Sequence, residues 1–221
     1  MTQQPEQNAV VPAFSIVLAS GSPRRRQLLA DAGVEFTVLE TDADESLDAD
    51  LLAMPLEAVK KLAERKAGAA VQQILAGSCT SSVLVIGADT MVVHNGEIFG
   101  KPRSLDDGKR MLRALSGDVH DVHTAVSLWF IAADGTGEVS LAYRTFVDTA
   151  HVAFKELSDE RIADYLKLGE SFDKAGAYAI QGRGADLVDH VDGSIDTVIG
   201  LPVQRLLREF PEIAPNAATG E

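Results

Sequence analysis

"VLVIGAD", residues 83–89, is a short apolar run closed by an aspartate, and its reading decides the fold. Successive apolar residues with no polar alternation need cover on both faces, as in a central parallel strand with helices on either side. Next along the chain, "MVVHNGEIFG" (91–100) carries Asn95-Gly96, a strong signal for a two-residue hairpin turn. Upstream, Leu56, Val59, Ala63, Ala67, Ala70 and Ile74 recur at helical spacing and predict a helix from Pro55 to Leu75. Farther back, "FSIVLAS" (14–20) predicts another buried strand. Ser22-Pro23 then starts a helix, with serine as N-cap and proline in the first turn, that runs to Asp31 and stops at Gly33.

"EFTVLE" (35–40) alternates like a second strand, and the acidic "TDADESLDAD" (41–50) reads as a loop. Downstream, Ser104 caps a helix over "SLDDGKRMLRAL", and residues 123–154 predict two long strands joined at Asp134-Gly135. A capped helix from Ser158 to Gly169, a Gly-rich turn, a strand near "ADLVDHVDG" and a final helix from Pro202 complete the chain. The elements interlock without a linker. Residues 14–210 therefore read as one α/β domain with a mixed, partly parallel twisted sheet flanked by helices, and residues 1–13 and 211–221 as disordered tails.

Composition narrows the function. The 221 residues carry 33 acidic and 20 basic side chains, a net charge of −13, which argues against a nucleic-acid partner or an acidic membrane surface. No apolar run approaches the roughly 20 residues of a membrane span, and the first residues lack the basic and apolar regions of a signal peptide. A single cysteine, Cys79, excludes an intrachain disulfide and suits a reducing cytoplasm, the expected location.

Against that acidic background, "SPRRRQLL" (22–29) places Arg24, Arg25 and Arg26 in a first helical turn, where the macrodipole is already positive. Each exposed cation there is disfavoured by roughly 0.3–1 kcal/mol. A bound anion reverses that sign: free N–H groups and the dipole favour a phosphate, arginines add bidentate donors, and Ser20, Gly21 and Ser22 permit close approach. Lys66 lies about 20° from Val59 on the helical wheel, inside the apolar stripe. A lysine there snorkels, pairs or reaches into a cleft. Asp89 ends the apolar strand, where open α/β sheets collect their sites; a carboxylate there holds a divalent metal, acts as a base, or shapes a turn. Lys101 in "GEIFGKP" is not part of a phosphate-binding P-loop, since three residues separate the glycines and proline follows the lysine. The histidines of "HDVH" (120–123) would face opposite sides of a strand, a poor metal pair.

Taken in order, "LASGSPRRRQLL", "LAERKA", "GADTMV", "GKP", "HTAV", "DKAGAYAIQG" and "IGLP" resemble the Maf family of nucleoside triphosphate pyrophosphatases, from about Ile16 to Leu207. The resemblance implies a deep nucleotide-binding cleft of the kind seen in Maf and ITPase-like proteins, a homodimer and a divalent cation. Mg²⁺ and Mn²⁺ suit the donors, and Co²⁺ is a further candidate. The implied reaction is hydrolysis between the α- and β-phosphates to a monophosphate and pyrophosphate. By motif, Asp89 falls on the catalytic base, and Ser22, Arg24 and Arg25 on the grip for the phosphate tail. Lys66 and Lys101 offset charge on the leaving pyrophosphate, Glu45 shares the metal with Asp89, and Thr90 and Gln181 select the base. "AYAIQG" resembles the branch acting on dTTP and UTP, in nucleotide-pool housecleaning and possible cell-division arrest. Ala179, where glycine is common, Ile195, where an aromatic is common, and the extra Arg26 depart from the pattern. The alternatives are a pyrophosphatase for 7-methyl-GTP or other modified nucleotides, and a nucleotide-binding regulator of septum formation with incidental hydrolysis.

Overall fold

The computed structural model describes residues 14–215 apart from 78 and 136–137. The expected tails at 1–13 and 216–221 lie outside the described residues. Seven strands form one mixed sheet, in the order β2 (Thr37–Val38), β1 (Ser15–Ala19), β3 (Val83–His94), β5 (Val119–Ala133), β6 (Val139–Phe154) and β7 (Val188–Asp192), with β4 (Glu97–Phe99) also on β3. Among the described residues only the β2–β1 and β1–β3 pairs are parallel. The helices are α1 (Pro23–Asp31), α2 (Ala49–Leu52), α3 (Pro55–Ala76), α4 (Leu105–Leu115), α5 (Asp159–Lys167), α6 (Ile195–Ile199) and α7 (Val203–Glu209).

β3 explains its own composition. Val83 and Val85 meet Ala67, Ala70 and Val71 of α3 on one face, while Leu84, Ile86 and Ala88 meet Leu29 of α1 and Leu206 of α7 on the other. Its far end repeats the pattern, with Met91 and Val93 against the start of α3 and Val92 in the layer built with α4 and α5. The double burial expected for "VLVIGAD" is present, but the strand does not end at Asp89. It continues to His94, and its other neighbour, β5, is antiparallel along Val83–Val93. The parallel contact with β1 stops at Ala19↔Gly87, so Asp89 lies just beyond the carboxyl end of β1 instead of its own.

Gly87 sets the spacing between sheet and helix. A Cβ there would come within 2.7 Å of the Ala67 Cβ and N and 2.8 Å of the Ala63 carbonyl. Only glycine, facing two alanines, lets α3 lie this close to β3. The approach brings Lys66 beside Asp89, two residues along the same strand face.

Three local expectations change. The second strand contracts to Thr37–Val38. In the acidic stretch, Asp48 accepts the Leu51 N–H and caps the short helix α2, the N-cap chemistry of a carboxylate winning over the lack of apolar periodicity. The expected tail from 211 begins too early. Pro211–Ile213 is a 3₁₀ turn whose Ile213 packs into the α1–α7 layer, because an isolated apolar residue can still anchor a chain end.

Candidate active site

At the end of β1 the chain turns through Ser20, Gly21 and Ser22 into α1. Ser22 caps the helix by accepting the Arg25 N–H at 3.5 Å, and Pro23 occupies the first turn. The three arginines then diverge. Arg25 folds back under the turn: Nε donates to the Gly200 carbonyl at 2.7 Å, Nη1 to Ser20 Oγ at 3.4 Å and Nη2 to Thr90 Oγ1 at 3.1 Å. Burial pushes its guanidinium pKa down, and the Asp89 charge pulls it back up. Arg24 is half-buried, with Nη1 3.8 Å from Asp173 Oδ2. Arg26 bonds Glu40 and the Gly21 carbonyl, because Glu40 follows β2 alongside the turn.

Opposite the turn, the Lys66 ammonium bridges two carboxylates, with Asp89 Oδ1 at 2.5 Å and Glu45 Oε1 at 2.7 Å. Of the readings open to a lysine in an apolar stripe, the structure selects pairing. The hydrogen bond from Lys66 holds the Glu45 carboxyl below its ordinary value, with further help from the charges of Lys101 and Arg25. Lys101 is exposed and acts on Glu45 through space, without direct contact. Between the Ser20–Ser22 turn and this ion cluster lies a pocket of about 540 Å³, lined by Ser20, Gly21, Ser22, Arg25, Glu45 and Lys66 together with residues 41–43.

The structure thus brings Ser22, Arg25, Glu45, Lys66 and Asp89 together, with Thr90 behind Arg25. Arg24 and Lys101 lie at the margins. Gln181 is exposed at the start of a 3₁₀ turn and makes none of the site's contacts. Sequence reasoning missed what holds Arg25, namely the Gly200 carbonyl and, behind Thr90, the buried Thr124 hydroxyl on the Thr197 carbonyl. Uncharged partners leave no charge pattern to notice.

Glu45 and Asp89 converge on one ammonium and offer hard oxygen donors at the position a cation would take. Among the described residues no group of three His, Cys, Asp or Glu side chains is placed to hold a metal. Two carboxylates fit Mg²⁺ or Mn²⁺ only if water and substrate phosphates complete the shell, the usual arrangement for Mg²⁺. His120 and His123 are no metal pair: one bonds Tyr178 and the other Thr149, on opposite faces of β5.

Fold and charges together define an α/β protein with a pocket at the end of its parallel strands that Arg25, Lys66 and Glu45 line. The chain belongs to the Maf family: the family model described as "Maf-like protein" matches residues 15–213. Among curated relatives, a "dTTP/UTP pyrophosphatase" of Lachnoclostridium phytofermentans is 40% identical over 89% of this chain and 93% of its own length. One of the same name from Bacillus thuringiensis is 40% identical over 89% of this chain and 94% of its own. The Ham1 protein of Staphylococcus aureus overlaps 79% of each chain at 14% identity, with a TM-score of 0.39, too low to carry an argument.

Proposed function

We propose that this protein is a nucleoside triphosphate pyrophosphatase acting on dTTP and UTP. The observation that carries the reading is the pocket itself, in which Lys66, paired with the buried Asp89 behind it, and Glu45 face an arginine-bearing helix N-terminus. The names of the 40% identical relatives support the same activity and the pyrimidine preference. Ser22, the Arg24 N–H of the first turn and Arg25 take the phosphate tail, with the Arg24 side chain and Lys101 adding charge from the margins. Asp89 accepts a proton from water as its oxygen bonds the α-phosphorus. The bond from that phosphorus to the bridging oxygen breaks, and pyrophosphate leaves with that oxygen. Lys66 and Lys101 stabilise the charge released. Most of the acceleration in such reactions comes from positioning and electrostatics, which this arrangement supplies.

Glu45 and Asp89 would hold the Mg²⁺, Mn²⁺ or Co²⁺ ion, which supplies charge neutralisation on the phosphates when bound. Base selection falls on Gln181, exposed and uncommitted to the Arg25 contacts. Thr90, whose hydroxyl lies against Arg25, can contribute to it only through its methyl group or backbone. A cytoplasmic homodimer remains the expected setting. Among the described residues no helix is long and apolar enough to cross a membrane.

The test is pyrophosphate release from dTTP, UTP, CTP, GTP and 7-methyl-GTP with Mg²⁺ or Mn²⁺, run beside Asp89→Asn. Release from dTTP and UTP that falls by about 10²-fold or more in the variant is expected. Release from another nucleotide would overturn the base assignment, and release unaffected by Asp89→Asn would overturn the site.

A further inference from the structure

Behind Arg25 lies a chain of hydroxyls whose proton order can be deduced. Arg25 Nη2 donates to Thr90 Oγ1 at 3.1 Å, Thr90 Oγ1 lies 2.9 Å from Thr124 Oγ1, and Thr124 Oγ1 donates to the Thr197 carbonyl at 2.6 Å. A hydroxyl has one proton. The Thr197 carbonyl can only accept, so the Thr124 proton is spent there, and Thr124 must accept from Thr90. The Thr90 proton is therefore also committed, and Thr90 turns a lone pair toward the guanidinium.

The far end of the chain is anchored. Thr124 and Thr197 are both fully buried. The Thr197 hydroxyl donates to Asp148 Oδ2 at 2.5 Å, and Asp148 Oδ1 is held by Arg205 Nη1 at 3.0 Å. The same short helix α6 that carries Thr197 ends at Gly200, whose carbonyl takes the Arg25 Nε–H. Gly200 has φ 130°, and a Cβ there would meet Arg25 Nε and Thr90 Oγ1 at 3.4 Å. Two faces of one guanidinium are thus fixed by one helix, once directly and once through two threonines.

We propose that Thr124 is a positioning residue for Arg25, acting through Thr90, and that the Thr90 hydroxyl serves Arg25 as an acceptor and is not a donor to the nucleobase. The consequence for turnover rests on the pyrophosphatase reading; the orientation of Arg25 does not. Preorganisation of a phosphate-binding cation is worth having because the side chain would otherwise be ordered only on binding.

Two measurements test this. In a double-mutant cycle, Thr124→Val should lower kcat/KM for dTTP by about tenfold in the wild-type background and by less than about twofold in Arg25→Ala, since the chain acts only through Arg25. Thr124→Ser, which keeps the hydroxyl, should restore the rate. Equal losses in both backgrounds would overturn the proposal. Independently of activity, ¹⁵N spectra of the arginine side chains, with Arg25 assigned from Arg25→Lys, should show separate Nη signals in the wild type that merge in Thr124→Val. Unchanged Arg25 signals would overturn it. If Thr124→Val does not fold, Thr90→Val breaks the chain one link nearer Arg25 and is read in the same way. A wild-type protein inactive on every triphosphate would sink the pyrophosphatase reading while the spectra still decide the positioning.

Discussion

Lys66 stands between Glu45 and Asp89, and its charge is what lets two carboxylates approach one point without repelling each other. Removing it should be visible first on Glu45. In Lys66→Met the Glu45 pKa, followed by ¹³C NMR of its carboxyl, is expected to rise from its depressed value to or above 4.5, because the hydrogen bond that lowers it is gone and Asp89 remains close. No rise would mean that the pair is not formed in solution. The sign of the stability term follows from the direction of the shift. A carboxyl depressed in the folded state contributes stability above its unfolded pKa and loses it as pH falls through the folded pKa, below 4.5 here. With the Glu45 side chain 60% exposed, solvent screening keeps that contribution small. Lys66 therefore matters to the site more than to the fold.

At the scale of elements, the contact of α3 with β3 decides whether the site exists. Gly87→Ala pushes a methyl group into helix backbone, so α3 must move. A cost of about 1–3 kcal/mol is expected, lowering Tm by roughly 3–10 °C, together with loss of activity as Lys66 leaves Asp89. An active variant with unchanged Tm would show that the helix can yield without consequence.

β5 carries a second element-scale prediction. His120 is packed between Phe154 and Tyr178, with Nε2 2.8 Å from the Tyr178 hydroxyl and Nδ1 buried without a partner. Burial lowers its pKa to about 4. Between about 6.5 and 4 the unfolded chain takes up a proton that the folded one refuses, so stability should fall with falling pH across that window, by on the order of 3 kcal/mol from this group. Chemical denaturation of His120→Gln at several pH values should show a flatter profile there. An identical profile would assign the acid sensitivity elsewhere.

For the whole molecule, with a net charge of −13, Arg25 and Lys66 set positive charge beside the Ser20–Ser22 turn in a pocket that also carries Asp42 and Glu45, and an anion held by those two cations should stabilise the entire domain. Pyrophosphate at a hundred times its Kd is expected to add about 2.7 kcal/mol, seen as a rise in Tm that Arg25→Ala abolishes. The C-terminal end adds a purely structural expectation. Ile213 is only 4% exposed, so Ile213→Ala should cost about 2–5 kcal/mol without altering the pyrophosphate shift, measured by denaturation with and without the ligand.

The apolar run of β3, the helical period of α3 and the Ser22-Pro23 cap were legible in the sequence, since each is a local pattern that burial or capping imposes on neighbouring residues. So were the cations of the candidate site, whereas Glu45 came only with the family resemblance. Arginines at a helix N-terminus and a lysine in an apolar stripe are anomalies that need a partner. What pairs β3 with β5 in antiparallel fashion was not legible, because a run buried on both faces reads alike in either direction. Nor was the fate of each cation. Whether Arg25 or Arg26 turned inward depended on Glu40, Gly200 and Thr90, residues up to 175 positions away. Local chemistry is written along the chain, and so the sequence by itself determined the principal strands and helices, the anomalous cations and the family. Partnership between distant hydroxyls and carbonyls exists only once the sheet has closed, and so the tertiary structure alone decided where Asp89 lies, what Lys66 bridges and what holds Arg25.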